Sequence, residues 1–404
     1  MMNKNILTLL FVRIVANFSD SLYYMATIWF IKEIMGSNTW IGIASFITML
    51  PVALQILYGP IIDRYSKKKL LIISMGIQAT IFSILVFLYN LNQLQPALLL
   101  AFIFVATMAA HLSYPTESAL VPFLVNKQQL GKVNSIFAFT YSSLDIICNA
   151  VSGIIIASIG IGMVYFLNSL TYVILFFCIW FILKLPRVVE KEALENKEIT
   201  YKEEFLQGIR YFWELGELRI FILAFTGINM LMCIPMGLIP VLANTGQEYG
   251  LWMTAISVGT LSGSLVSGKL VNYSLKHIFV TVAFIGGSTW FASYWLLSVS
   301  LITTLILFSL SWFMIGIMGV QFQTLLQSRI ESEYLGRALT AVYAIQGSMA
   351  PVGYLLGGVL SDYIQPSHLY LVGSVTLLLA GGYFTQSPFL YNAQKEKLSE
   401  KQTF

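Results

Sequence analysis

Charge is scarce in this chain. Of 404 residues only 10% are Asp, Glu, Lys or Arg, while 57% are apolar. A water-soluble globular domain carries roughly a quarter charged residues, so this composition, with a mean hydropathy of +0.77, excludes an ordinary soluble protein. Cysteine is nearly absent: Cys148, Cys178 and Cys233 fall inside apolar runs with no CxxC spacing. They read as small buried hydrophobes, and neither a disulfide framework nor a metal site is indicated. There is no phosphate-cradling Gly-Lys-Ser/Thr loop, no HExxH and no Gly-x-Ser-x-Gly. With no soluble domain to hold such a centre, the chain is not expected to be an enzyme, and no cofactor is called for.

What the chain has in abundance is long apolar runs. A spanning helix needs roughly 20 apolar residues, and about twelve such segments can be placed by hydropathy, near 6–31, 39–62, 70–90, 96–122, 133–158, 162–183, 218–243, 251–271, 278–298, 301–327, 337–361 and 367–388. In hydrocarbon each must satisfy its backbone internally, as a helix. The first is too long for a cleaved signal peptide and carries Arg13 and Asp20. The expected fold is therefore an all-α integral membrane protein of twelve transmembrane helices, whose substantial partner is the lipid bilayer.

The 23 Lys and Arg residues set the orientation. Only Arg13 lies within a helix and only Lys32 in a far-side loop; the rest fall at the N-terminus, in alternate loops, or in the tail. The positive-inside bias places both termini and those loops in the cytoplasm of a multi-pass cell-membrane protein. The net charge of +4 then reflects orientation, and no nucleic-acid partner is needed to explain it.

The segments divide into two six-helix halves, 1–183 and 218–404, joined by the polar linker 184–217. Within the linker, Thr200-Tyr-Lys-Glu203 has the form of a capping box. Phe205, Ile209, Phe212 and Trp213 then recur at helical spacing, consistent with an amphipathic surface helix or with a solvated linker. An internal repeat supports the division. Gly59-xxx-Asp63 with Lys67-Lys68 is echoed by Gly268-xxx-Asn272 with Lys276, and Leu130-Gly131-Lys132 by Leu335-Gly336-Arg337. Parallel repeats imply pseudo-two-fold symmetry about the membrane normal and a substrate path between the halves. Gly259-xxx-Gly263-xxx-Ser267 and Gly353-xxx-Gly357 have the small-xxx-small spacing of closely packed helices.

Ionisable groups within a membrane are costly, so each is a candidate for function. Arg13, Asn17, Asp20 and Tyr24 form one stripe on the first helix. At about 1.5 Å per residue, Asp20 lies some way past Arg13, close to the midplane, where it can bind and release a proton. The alternative is a static polar patch against a neighbouring helix. Ser142, Asp145, Asn149 and Ser152 repeat the pattern on the fifth helix, making Asp145 a second proton or cation candidate. Glu117, two residues after Pro115, can snorkel to water or pair with a base. His111 shares its helix and titrates in a suitable range. The second half carries Asn229, Gln321, Gln323 and Gln346 but no comparable charge. Met232/Met236 and Met314/Met318 at i,i+4 suit packing or an adaptable apolar pocket. Asn17, Tyr24, His111, Asn149, Asn229 and Gln346 are the substrate-cavity candidates.

The whole chain resembles a transporter of the major facilitator superfamily, in the bacterial branch holding macrolide-efflux proteins and siderophore exporters. The residues that carry the resemblance are Asn17-Phe-Ser-Asp20, the stretch Gly59–Leu70, Pro115 through Val125 before Leu130-Gly-Lys, Asn168-Ser and Leu206-Gln-Gly-Ile-Arg210-Tyr. The resemblance implies two pseudo-symmetric six-helix bundles, a monomer, and proton-coupled efflux of a small amphipathic organic molecule by alternating access. Siderophore export, nutrient uptake by proton symport, and a non-transporting scaffold or sensor stay open beside it. It also implies a gating motif in Gly59, Asp63, Arg64, Lys67 and Lys68, with Asp63 facing Gly336 and Arg337. Three departures stand out. Ser66 replaces a usual glycine, Ala106 sits where relatives carry arginine, and Leu144-Asp145-Ile146 replaces a Gly-Pro pattern, which leaves Arg13 as the substitute cation.

Overall fold

The computed structural model describes residues 4–54, 58, 61–62, 65–125, 127–184, 201–270, 273–330 and 335–391, with the backbone alone at Asp145, Asn149, Gly336 and Arg337 among others. Among the described residues every regular element is helical. The helices are α1 (Lys4–Met35), α2 (Asn38–Ala53), α3 (Lys67–Asn90), α4 (Pro96–Leu124), α5 (Lys127–Phe181), α6 (Tyr201–Glu214), α7 (Glu217–Leu242), α8 (Gly246–Ser267), α9 (Leu275–Leu296), α10 (Leu301–Arg329), α11 (Leu335–Leu360) and α12 (Pro366–Gln386). Eight stretches are long and apolar enough to cross a membrane: α1, α3, α4, residues 158–181 of α5, α7, α9, α10 and α12.

The helices begin and end where the chain chemistry changes. Prolines open α4 and α12 at their first turn, where a missing N–H costs nothing. Gly36, at φ +61°, makes the turn from α1 into α2. The range α5 holds the fifth and sixth expected segments as two helices that meet at Gly160, whose φ of +75° and ψ of +165° are non-helical. Only glycine adopts such a conformation without strain, so the expected loop is compressed to a single residue.

Two compact units result, residues 1–201 with 244–250, and residues 202–243 with 251–404. In the first, α1 runs along α5, and α3 packs on both α4 and α5. At one end of this unit Lys68 donates from Nζ to the Leu183 carbonyl at 2.5 Å and to the Trp180 carbonyl at 3.2 Å. The Asn5 amide donates to the Lys184 carbonyl at 2.8 Å. The starts of α1 and α3 thus satisfy the unpaired carbonyls at the end of α5, with a cation at the negative helix end.

In the second unit α7 packs on α11 and α12, and α9 on α10 and α12. The small-residue spacings do here what the sequence predicts. A methyl group on Gly263 would overlap the Phe313 carbonyl, one on Gly316 the Thr260 carbonyl, and one on Gly353 the Met230 carbonyl. These helix backbones are in direct contact. Around them Phe221, Phe279, Phe322 and Phe384 form one aromatic cluster and Trp252, Trp290, Phe308 and Tyr370 another, all nearly fully buried.

Helix α6 falls in the stretch expected to be amphipathic. Phe212 is buried while Leu206 and Trp213 are exposed, and the Arg219 guanidinium stacks 5.1 Å from the Trp213 ring centroid. Thr200, the expected cap, lies outside the described residues.

Candidate functional site

The first unit buries its charges together. On α1, Arg13 is 7% exposed, and on α4, Glu117 is 1% exposed. Arg13 donates from Nε to Glu117 Oε2 at 2.7 Å and from Nη2 to the Tyr114 carbonyl at 3.1 Å. Its guanidinium also lies 4.1 Å from the Tyr114 ring centroid. The local sequence explains the arrangement. Tyr114 and Glu117 are one turn apart on α4, so both meet the same partner, and a planar guanidinium with several donors suits a carboxylate and a carbonyl at once. Glu117 therefore pairs with a helix-embedded arginine and not with a loop base.

Asp20 is two turns further along α1 and only partly buried. It accepts a hydrogen bond from the Tyr172 hydroxyl of α5, and Tyr23 is a second hydrogen-bonding phenol beside it. Phe82 of α3 holds both rings, at 4.8 Å from Tyr23 and 5.6 Å from Tyr172 between centroids. The stripe expected on α1 thus splits, with Arg13 addressing α4 and Asp20 addressing α5.

Between them lies a cavity of about 10 Å³ lined by Arg13, Asp20, Gln78, Ser113, Tyr114 and Glu117 with three apolar neighbours. Ser74 of α3 supports two of the lining residues, Ser113 and Gln78. Its hydroxyl donates to the Ala109 carbonyl at 2.5 Å and lies 2.6 Å from the Ser113 hydroxyl. A further polar tie joins Ser19 of α1 to Asn168 of α5, whose amide donates to the Val164 carbonyl at 2.8 Å.

The remaining candidates fall elsewhere. Asn17 is buried between Arg13 and Asp20 in sequence, and Tyr24 is partly buried. His111 is partly buried, its ring 6.3 Å from that of Tyr114. The Asp145 and Asn149 side chains lie outside the description, while Ser152 bonds its own helix at the Cys148 carbonyl, 2.5 Å away. Asn229 is exposed and within 4.0 Å of the Cys233 sulfur, and Gln346 is partly buried. Gln321 is tied to Ser267 at 2.9 Å. Met232, Met236 and Met318 are buried, which favours packing.

Gly59, Asp63 and Arg64 lie outside the described residues, and Gly336 and Arg337 are described by their backbone alone. Of the motif's bases, Lys68 caps α5 as described, and Lys67 is buried with its ammonium 5.9 Å from the Phe123 ring centroid. Among the described residues no cluster of three or more His, Cys, Asp or Glu is placed to hold a metal.

Tyr172, Tyr23, Phe82, Gln78 and Ser113 were not singled out by the sequence. Gln78 left a weak signal, an amide one turn after Ser74 in an otherwise apolar run. Tyr172 left none, being one of 21 tyrosines.

Residues 9–354 match the model of the Major Facilitator Superfamily. Macrolide efflux protein A of Streptococcus pyogenes is 23% identical over 381 residues, covering 89% of this chain and 90% of that protein. The crystal structure of a POT family transporter in complex with 5-aminolevulinic acid superimposes with a TM-score of 0.73 at 13% identity, covering 95% of this chain and 96% of that one. The D-xylose-proton symporter does so with a TM-score of 0.67 at 11% identity, covering 95% and 98%.

Proposed function

The chain belongs to the major facilitator superfamily, a multi-pass membrane transporter and not an enzyme, and we propose that it couples proton movement to the export of a small amphipathic organic molecule. In this reading the chain has twelve spans in two six-helix bundles, works as a monomer in the cell membrane with both termini cytoplasmic, and alternates access between the two sides.

The observation that carries the proposal is the charge count of the buried site. Arg13 is neutralised by Glu117 at 2.7 Å, which leaves Asp20 as one uncompensated carboxylate against the same cavity. A buried net charge in a membrane protein is expensive, so the closed site favours one added proton. When the site opens to water, the carboxylate is hydrated and the proton can leave. Asp20 then carries the proton, Tyr172 and Tyr23 steady its ionised form, and the Arg13–Glu117 pair keeps the count at one. Asp145 is the second candidate.

Drug or macrolide-like cargo is the leading class, supported by the likeness to macrolide efflux protein A along nearly the whole chain. Uptake by symport is the second reading, since the D-xylose-proton symporter shares the fold. Inverted vesicles distinguish the two. Adding erythromycin, a cationic dye or a siderophore to acid-loaded vesicles should release protons for the transported class and concentrate it inside. Loss of the compound from loaded vesicles together with internal protons would indicate uptake by symport, and no proton flux with any of them would contradict coupling.

A further inference from the structure

The cavity beside Asp20 contains an unmet hydrogen-bonding demand. Gln78 of α3 is 1% exposed and lines that cavity, yet its Oε1 has no partner. The orientation of its amide is set by its other end. Nε2 faces the Ser74 carbonyl at 3.4 Å and the Ser74 hydroxyl oxygen at 3.5 Å. A carbonyl only accepts and the Ser74 hydroxyl gives its hydrogen to the Ala109 carbonyl, so turning the amide over would oppose two acceptors. Oε1 is therefore the atom that needs a donor.

The surrounding side chains do not supply one. The Arg13 Nε and Nη2 donors go to Glu117 and the Tyr114 carbonyl, and the Ser113 hydroxyl is engaged with Ser74 and the Ala109 carbonyl. Buried acceptors are almost always satisfied, by ordered water where protein donors are lacking. A cavity of about 10 Å³ is close to the space one water centre requires, about 10–15 Å³.

We propose that this cavity holds one resident water, seated by Gln78, which joins Gln78 Oε1 to Asp20 and makes Gln78 the positioning residue for the Asp20 proton. This rests on the reading of Asp20 as proton carrier. A water has two donors and two acceptor lone pairs. With Asp20 ionised, it donates to Gln78 Oε1 and to the Asp20 carboxylate. With Asp20 protonated, the new carboxyl O–H donates to the water oxygen, and the water turns its freed hydrogen to Glu117. No bond other than the Asp20 O–H is made or broken. The groups facing Asp20 divide by state. Arg13 and Tyr23 from α1 and Tyr172 from α5 favour the ionised form, Glu117 from α4 opposes it, and Tyr114 contributes no charge. The water held by Gln78 serves both states, donating to the ionised form and accepting from the protonated one.

Infrared difference spectra between acid and alkaline pH, on protein reconstituted in lipid, test this without any cargo. Wild type should show a carboxylic C=O band that is lost in Asp20→Asn, and a water O–H band that shifts in H₂¹⁸O. In Gln78→Leu the ¹⁸O-sensitive band should vanish and the carboxyl band should titrate at higher pH, because the bond to the ionised carboxylate is stronger than the one to the neutral carboxyl, whereas Gln78→Glu, which keeps an acceptor oxygen, should retain the water band. Absence of an ¹⁸O-sensitive band in wild type overturns the proposal even if Gln78→Leu fails to fold. So does a band that persists in folded Gln78→Leu with an unmoved titration. If instead the carboxyl band survives in Asp20→Asn, the proton-carrier reading fails, and the isotope shift alone still decides whether the water is there.

Discussion

The two units are both built of apolar helices, but their interiors are held by different contacts. The first buries the ion pair Arg13–Glu117 and holds beside it the partly buried Asp20, the phenols of Tyr23 and Tyr172 and a chain of serines and amides. The second buries aromatic rings and lets backbones touch at Gly263, Gly316 and Gly353, with polar ties such as Ser293–Tyr370 at 2.8 Å and Gln321–Ser267. Close backbone packing is a way to hold helices in a membrane, where the hydrophobic effect gives no drive between them. It needs no charge and stores no titratable state. The polar interior of the first unit is a costly alternative for stability alone. Retaining it makes sense where a proton must come and go.

That contrast can be broken by mutation, starting with the largest effect. Arg13→Met alone leaves Glu117 buried and unpaired and should cost about 3–5 kcal/mol, as removal of one member of a buried pair does. The double variant Arg13→Met/Glu117→Leu should recover most of that stability, because a packed apolar pair often replaces a buried ion pair without loss. Denaturation of the purified variants in detergent measures both. A double variant as unstable as the single one would show that the pair serves to hold the unit together.

Tyr172→Phe removes a hydrogen bond to a charged acceptor, worth roughly 1.5–3 kcal/mol. It should weaken the ionised state of Asp20 and move the pH profile of export to higher pH. An unchanged profile would detach Tyr172 from the site.

Gly263→Ala in the second unit should cost about 1–3 kcal/mol through overpacking against the Phe313 carbonyl. Melting of the variant should fall while the pH profile of export stays that of wild type. A displaced profile would mean the second unit shares in coupling. Smallest is Lys68→Met, which strips the cation from the end of α5 and should cost about 0.3–1 kcal/mol, read as a small drop in melting temperature with coupling retained.

What the sequence disclosed and what it hid follow from the range of the contacts. Helix positions were legible because hydropathy is local, and α3, α4 and α10 lie within a few residues of the expected segments. The glycine spacings were legible because close packing leaves a periodic mark on a single helix. The Arg13–Asp20 stripe was visible for the same reason. The partners were not. Glu117 is 104 residues from Arg13 and Tyr172 is 152 from Asp20, and no pattern within one helix says which neighbour a polar side chain will meet. The break between the fifth and sixth spans was legible too, since Gly160 falls in the gap between the expected segments 133–158 and 162–183.

The central claim is that Asp20 carries the coupled proton. Reconstituted Asp20→Asn protein, compared with wild type for erythromycin counterflow at equal pH and for erythromycin transport driven by a pH gradient, tests it. The account predicts that counterflow persists near the wild-type rate while gradient-driven transport is lost. Gradient-driven transport at the wild-type rate in the same vesicles would contradict it.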